Sequence, residues 1–194
     1  MNADAFSDLV LALTCVALAF KYWRTQCGLA QAAAILGLAA SFGVLRFSGL
    51  EFATGPHRFF SLFAACAGLQ LLAVAVRWPD DPVARRATAA ARFVLLAGAI
   101  GLAIYLAGFV WWRQVLPVLS VLLILHTVFL IRIRGRIVGA LALTGSLGMA
   151  ALGQPSVVAL GPFTALQWMH YLMAVGLLFL SWNPVTDEER TSVG

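Results

Sequence analysis

The sequence predicts an all-helical fold, a bundle of seven transmembrane helices with the N-terminus outside and the C-terminus in the cytoplasm. The first observation is composition, because 62% of the 194 residues are hydrophobic and only 11% are charged, against about one half and one quarter in soluble domains. The second is a series of seven apolar runs, and the third is an uneven distribution of basic residues between them. Together they predict a single transmembrane domain over residues 1–194.

Each apolar run is bounded by charged residues, Gly, Pro or Trp, which end helices or mark the membrane surface. In chain order the predicted spans are 7–22, 29–50, 57–77, 87–110, 113–131, 137–152 and 162–182. The first ends at Lys21 and Trp23, the third ends at Arg77 before Pro79, and the fifth begins after Trp112. A helix crosses the hydrocarbon core with about 20 residues, so the first and sixth runs are the shortest candidates.

Orientation follows from the basic residues, because cytoplasmic loops carry the excess of Lys and Arg. One set of loops and the C-terminal tail holds Lys21, Arg24, Arg77, Arg85, Arg86, Arg132, Arg134, Arg136 and Arg190. The alternate loops hold only Arg46, Arg58 and Arg113. The first set is therefore predicted to be cytoplasmic. The net charge of +5 follows from this topology and indicates no nucleic-acid partner.

Polar side chains inside a span are candidates for function, because burying them in lipid is costly. Six of them fall at or near the outer half of the predicted bundle, where they are expected to line an outward-facing polar pocket: Ser41, Arg46, His57, Ser61, Gln167 and His170. Hydrogen bonds between helices are the structural alternative. A serine and histidine acting as nucleophile and base is a third interpretation, but no acidic residue is predicted inside the membrane to orient His170. Catalytic residues are not identified.

A second polar pair, Gln70 and His126, is expected to be buried at similar depth in the third and fifth spans. The same depth argument bears on metal binding. At 1.5 Å per residue, His126 lies about 20 Å, His170 about 12 Å and His57 about 0 Å from the outer boundary. Three such ligands do not meet one zinc ion at about 2.1 Å each. No metal site or cofactor is therefore predicted, with His170 the one ligand if there is any and a haem between His126 and His170 as a minor alternative.

Several stretches of the chain, at 9–23, 39–49, 57–76 and 161–182, resemble the ceramidase-like superfamily of seven-span membrane hydrolases. This superfamily includes alkaline ceramidases, haemolysin-III-like proteins and adiponectin-receptor-like proteins. The resemblance implies the seven-span fold, a bacterial inner membrane and a history of lipid amide hydrolysis. It argues against present zinc catalysis, because at most one family histidine is retained and a catalytic zinc needs three protein ligands. His170 matches the last histidine of the family pattern, but Leu166 stands where another is expected, and residues 40–49 contain none. The acid expected at the start of the third span is also missing.

These observations favour a multi-pass inner-membrane protein with a non-enzymatic, binding or transport-like role. Its expected partners are the lipid bilayer and a lipid or small-molecule ligand. One alternative is a divergent lipid amide or ester hydrolase, with zinc as its cofactor. Another is a structural subunit that packs against a membrane partner or a second copy of itself, since its spans are rich in small residues that let helices approach closely.

Overall fold

The chain folds almost entirely into helices, as the composition predicts. The computed structural model describes residues 2–152 and 158–181. The helices of this part of the chain are α1 (Ala3–Tyr22), α2 (Cys27–Phe47), α3 (Glu51–Arg77), α4 (Pro82–Arg85), α5 (Ala87–Leu106), α6 (Trp112–Ile131), α7 (Arg134–Ala150) and α8 (Ala165–Ser181). Two short antiparallel strands, Ala159–Leu160 and Phe163–Thr164, precede α8. The all-helical fold is therefore confirmed.

Five helices, α1, α2, α3, α5 and α6, are long and apolar enough to cross a membrane, while α8 is apolar but shorter. Each predicted span lies on a helix, although several ends differ by a few residues. The largest consequence is at the N-terminus, where α1 begins at Ala3 rather than residue 7. Trp182 and Arg190, used for the last span end and the tail, lie outside the described residues.

The first helix begins early because Asn2 caps it. The side-chain oxygen of Asn2 accepts a hydrogen bond of 2.8 Å from the backbone N–H of Ala5, which satisfies a donor that has no partner within the helix. One extra turn of helix therefore precedes the predicted span, and it carries Ser7 and Asp8 into the interior, where both are buried.

Contacts at both ends hold α1 against α8. At one end the Gln167 side chain donates a 2.6 Å hydrogen bond to the carboxylate of Asp4. At the other end the Tyr22 hydroxyl donates to the Ser181 carbonyl. These bonds fix the relative height of the two helices along their whole length, so side chains from α1 and α8 meet between them.

Helices α7 and α8 cross with their backbones in contact at two glycines. A Cβ atom added at Gly139 would lie 2.8 Å from the Leu180 nitrogen and 2.9 Å from the Gly176 carbonyl oxygen. A Cβ atom at Gly176 would lie 2.8 Å from the Leu143 side chain. The Ser146 hydroxyl also donates a 2.9 Å hydrogen bond to the Met169 carbonyl oxygen. Small residues allow this approach, as expected for helices packed in lipid.

Helix α3 contains a π-helical turn, Ala64–Gly68, between two α-helical segments. Such a turn adds one residue to the helix and occurs often at functional sites. The Gln70 side chain donates a 2.9 Å hydrogen bond to the Ala65 carbonyl oxygen, inside this turn. The segment before the turn carries His57 and Ser61, and the turn itself borders the cavity described next.

Candidate functional site

A cavity of about 430 Å³ lies among α1, α2, α3, α6, α7 and α8. The residues that line it come from the start of α1, α3, α6 and α8 and from the later part of α2 and α7, which is one end of an up-and-down bundle. Most of the lining is aliphatic or methionine side chains. The polar exceptions in its lining are Asp8, His57, Ser61, Arg113, Gln114 and His170. The volume falls in the range of about 300–1,000 Å³ typical of small-molecule sites.

Asp8 and His170 form a buried pair on the wall of this cavity. The Asp8 Oδ1 atom lies 3.4 Å from His170 Nε2, and the two side chains are 1% and 6% exposed. The other ring nitrogen, Nδ1, lies 3.0 Å from the Ser7 hydroxyl oxygen. The sequence therefore does supply an acid beside His170, and the prediction that none lies inside the bundle was wrong.

The hydrogen bonds determine which nitrogen of His170 carries a proton. The Ser7 hydroxyl donates its single proton to the Asp4 carbonyl oxygen at 2.8 Å, so it must accept from His170 Nδ1. In a neutral imidazole one nitrogen donates and the other accepts, so His170 Nε2 presents a lone pair to Asp8. Nε2 faces the Asp8 carboxyl at 3.4 Å, and the burial of both side chains favours a pair without net charge.

The Asp8 carboxyl fits only because α2 has a glycine opposite it. A Cβ atom at Gly43 would lie 2.5 Å from Asp8 Oδ2 and 2.6 Å from its Cγ. Within the described residues, Asp8 Oδ2 has no hydrogen-bond partner. A buried polar atom without a partner costs about 1–3 kcal/mol. This cost is part of holding the Asp8 carboxyl against Gly43 in the interior.

The start of α8 is fixed by a reciprocal cap. The Thr164 hydroxyl accepts from the Gln167 backbone N–H at 3.3 Å, and the Gln167 side-chain oxygen accepts from the Thr164 N–H at 3.2 Å. This is the capping-box arrangement, which satisfies two free donors of the helix. With its bond to Asp4, Gln167 is therefore a structural residue that positions His170 one turn later.

His57 belongs to the same cavity but to a different helix. Its Nδ1 lies 3.1 Å from the Ala39 carbonyl oxygen of α2. Because a carbonyl only accepts, Nδ1 must carry a proton, which leaves Nε2 of a neutral His57 as an acceptor. Ser61 follows four residues later and therefore lies on the same face of α3. Both residues line the cavity, and the Ser61 hydroxyl can reach the space that a ligand would occupy.

An adjoining cleft of about 700 Å³ shares six lining residues with the cavity: His57, Ser61, Ala65, Arg113, Gln114 and Ala150. Three arginines line it: Arg46 from α2, Arg58 from α3 and Arg113 from α6. We call this space the arginine cleft. No Asp or Glu side chain from the described ranges is among the residues that line it. The basic residues at this end of the bundle therefore converge on one opening.

The predicted pocket residues are brought together in part. His57, Ser61 and His170 line the cavity, and Arg46 lines the arginine cleft. Ser41 lines neither space; it is exposed and donates to the Gly37 carbonyl oxygen at 2.8 Å. His57 and His170, which residue counting placed about 12 Å apart in depth, both line this cavity.

The Gln70–His126 pair predicted in the interior does not form. Gln70 is half-buried and donates to Ala65 within its own helix, whereas His126 is exposed on α6. The rise per residue placed the two at one depth but gave no information on which side of α6 faces α3. His126 is on the outward side, among exposed apolar residues such as Leu122 and Phe129.

Sequence reasoning missed Asp8, although a signal was present. The buried residues of α1 include Asp8, Cys15, Leu18 and Tyr22, spaced at three, four and seven as one face of a helix requires. Extending that face backward from Tyr22 reaches Asp8. Asp8 already fell within the predicted span, 7–22, as its second residue, but it was not counted among the polar groups of the interior.

Asp8, His57 and His170 are the described acid and imidazole groups of the cavity. Among residues 2–152 and 158–181, no three His, Cys, Asp or Glu side chains are arranged to hold a metal ion. His170 uses both ring nitrogens within the protein, so this arrangement does not fit a zinc ion held by His170.

No known protein family, curated protein or solved structure matches the chain.

Proposed function

We propose that this chain is a multi-pass membrane protein that binds the hydrocarbon part of an amphiphilic, lipid-like ligand in the cavity. The observation that carries the proposal is a cavity of about 430 Å³ with a largely apolar lining and the buried Asp8–His170 pair on its wall. A largely apolar pocket with a few convergent polar groups is the usual form of a small-molecule site. The apolar lining selects a hydrocarbon chain.

The proposed topology has seven spans, with the cavity at the outer face of a bacterial inner membrane. Helices α7 and α8 serve as the sixth and seventh spans, and their close crossing supports including both. The end of the bundle away from the cavity carries the larger basic set, including Arg77, Arg85 and Arg134, which favours a cytoplasmic position. Exposed Trp23 and Trp78 at that end fit the aromatic belt of a membrane surface.

Cysteine labelling tests this orientation. Ser48 and Thr25 are exposed at opposite ends of α2, so Ser48→Cys and Thr25→Cys can each be made in a Cys27→Ser background. In intact bacterial cells, a membrane-impermeant maleimide should label Ser48→Cys, and it should label Thr25→Cys only after permeabilisation. The reverse pattern would overturn the proposed orientation, and labelling of both positions from one side would overturn the second span.

A second candidate function is lipid ester or amide hydrolysis, which the resemblance described above implies. It is favoured by Ser61, His57 and the Asp8–His170 pair facing one cavity. Ser7 does not serve as nucleophile, because it is fully buried and donates its proton to Asp4. Ser61 would attack the carbonyl carbon while His57 Nε2 accepts the hydroxyl proton. His57 would pass that proton to the departing alcohol or amine as its bond to the carbonyl carbon breaks, and water would then release the acyl group from Ser61 as the free acid. Binding remains the first proposal, because no hydrogen bond among the described residues joins Ser61 to His57 or to the Asp8–His170 pair.

One experiment addresses both functions. A pyrene-labelled fatty acid methyl ester is added to the purified protein in detergent, and its binding is followed by fluorescence. Ala65→Phe should reduce its affinity at least about tenfold by filling the cavity, since Ala65 lines it and each 1.4 kcal/mol lost is a factor of ten. Ala150→Phe fills the same space from α7, in case Ala65→Phe does not fold.

The matched control is Ala99→Phe, because Ala99 is exposed on α5 and the substitution adds the same side chain outside the cavity. Binding that is equal in all variants, or absent in the parent protein, would overturn the binding proposal. The ester recovered after incubation reports on the second candidate. Release of the free acid, lost in Ser61→Ala, would establish hydrolysis in place of simple binding.

A further inference from the structure

We infer that the arginine cleft binds the anionic end of the amphiphile whose chain occupies the cavity. This inference rests on the proposed function and adds the chemical class of the headgroup, a phosphate or carboxylate. The cleft and the cavity share His57, Ser61, Arg113 and Gln114, so one molecule can extend from one space into the other.

The charge of the cleft is not neutralised within the described part of the chain. Arg46, Arg58 and Arg113 come from three different helices, yet all three line the same space. Over residues 2–152 and 158–181 none of them is in an ion pair. Arg46 lies 5.0 Å from the ring of Phe47, which leaves its N–H groups available. Three converging guanidinium groups repel one another unless an anion is placed between them.

The donors around this charge suit an oxyanion. Guanidinium groups form paired hydrogen bonds with carboxylate and phosphate oxygens. Gln114 and Ser61 add neutral donors at the boundary with the cavity. A cation is disfavoured there, because Asp8 is the one described carboxyl on the inner lining and already faces His170. The polarity of the two spaces therefore sets the orientation of the ligand. Its hydrocarbon chain lies toward Asp8, and its anionic headgroup lies toward the arginines.

The proposed topology places this cleft at the outer membrane surface, where lipid headgroups lie. An amphiphile entering from the outer leaflet would keep its charged end at headgroup level while its chain moves between the helices. This position favours the end of a lipid chain over a free inorganic anion, although both present the same oxyanion chemistry. Competition by inorganic phosphate separates a lipid headgroup from a free anion.

Competition measurements test the headgroup. Hexadecyl phosphate and hexadecanol have the same hydrocarbon chain and differ only in the headgroup. Each is titrated against the bound pyrene ester. The phosphate should compete at least about tenfold better than the alcohol, as expected for charge-assisted hydrogen bonds. In a double variant with Arg58→Gln and Arg113→Gln this preference should fall to about threefold or less, because most of the charge-assisted contacts are lost. Both residues are exposed, so the fold is expected to tolerate these changes.

The control is Arg92→Gln, which removes one positive charge from an exposed position on α5 and should leave the preference unchanged. Equal competition by phosphate and alcohol in the parent protein would overturn the inference while leaving chain binding intact. If the pyrene ester itself does not bind, the proposed function fails first. Inorganic phosphate that displaces hexadecyl phosphate completely would identify a free-anion site and overturn the link to a chain.

Discussion

Replacing Gly139 by leucine should destabilise the protein by about 3 kcal/mol or more, the upper end of the range for overpacked interiors. The new Cβ atom would lie 2.8 Å from the Leu180 nitrogen and 2.9 Å from the Gly176 carbonyl oxygen. Both are backbone atoms, so no side-chain rotation relieves the clash and α7 must move away from α8. The expected result is a large fall in the unfolding temperature of the protein in detergent.

Gly148 offers a matched control on the same helix. A Cβ atom there meets no other atom within 4 Å, so Gly148→Leu changes the same residue type without the clash. It should unfold within a few degrees of the parent protein. Comparable losses in the two variants would show that glycine acts through helix flexibility, and the close crossing of α7 and α8 would then not be the cause.

Replacing Asp8 by alanine should destabilise the protein by about 1–3 kcal/mol, whereas asparagine should be tolerated. Alanine leaves the buried His170 Nε2 without a partner, at the cost of an unsatisfied group. Asparagine has nearly the same shape, and its amide N–H can donate to Nε2 as the protonated carboxyl does. This difference between the alanine and asparagine variants distinguishes a neutral pair from a buried ion pair. Removing one charge from it costs about 3–5 kcal/mol, which would make asparagine as damaging as alanine.

Thermal unfolding measures the loss of stability in each variant. The variants compared are Asp8→Ala, Asp8→Asn, His170→Ala and the Asp8→Ala/His170→Ala double variant. The double variant should lose less stability than the sum of the losses in the two single variants, since the two side chains interact directly. Additive losses would show that Asp8 and His170 act independently and would contradict the pairing. Severe loss in Asp8→Asn would instead identify a charged pair, in which Asp8 is ionised and His170 is protonated.

The helical fold was predictable because composition and the length of the apolar runs depend directly on it. Span ends were harder, and α1 illustrates the reason. Its start depends on one side-chain cap at Asn2, a local interaction that hydropathy does not measure. With that extra turn, Asp8 lies in the second turn of α1, where it is buried, and not at the very start of the helix.

The site was predictable only where a residue's depth and its side of the helix were both informative. His57, Ser61 and His170 were selected because polar groups in apolar runs are rare. Ser41 satisfied the same criterion, yet its hydroxyl bonds to Gly37 in its own helix. Gly43, which admits the Asp8 carboxyl, carries no chemistry that a sequence pattern would select. Its importance comes from the neighbouring helix, which only the folded structure identifies.

The π-helical turn of α3 has a consequence for how that segment is compared with other sequences. An α-helix turns by about 100° per residue, so the one-residue insertion at Ala64–Gly68 rotates the segment before it relative to the segment after it by about that angle. A protein with an unbroken helix here would align residue for residue with one half of α3 and be out of register with the other. A single gap within residues 64–68 restores the correspondence, and without it His57 and Ser61 would be matched to positions on the wrong side of the helix.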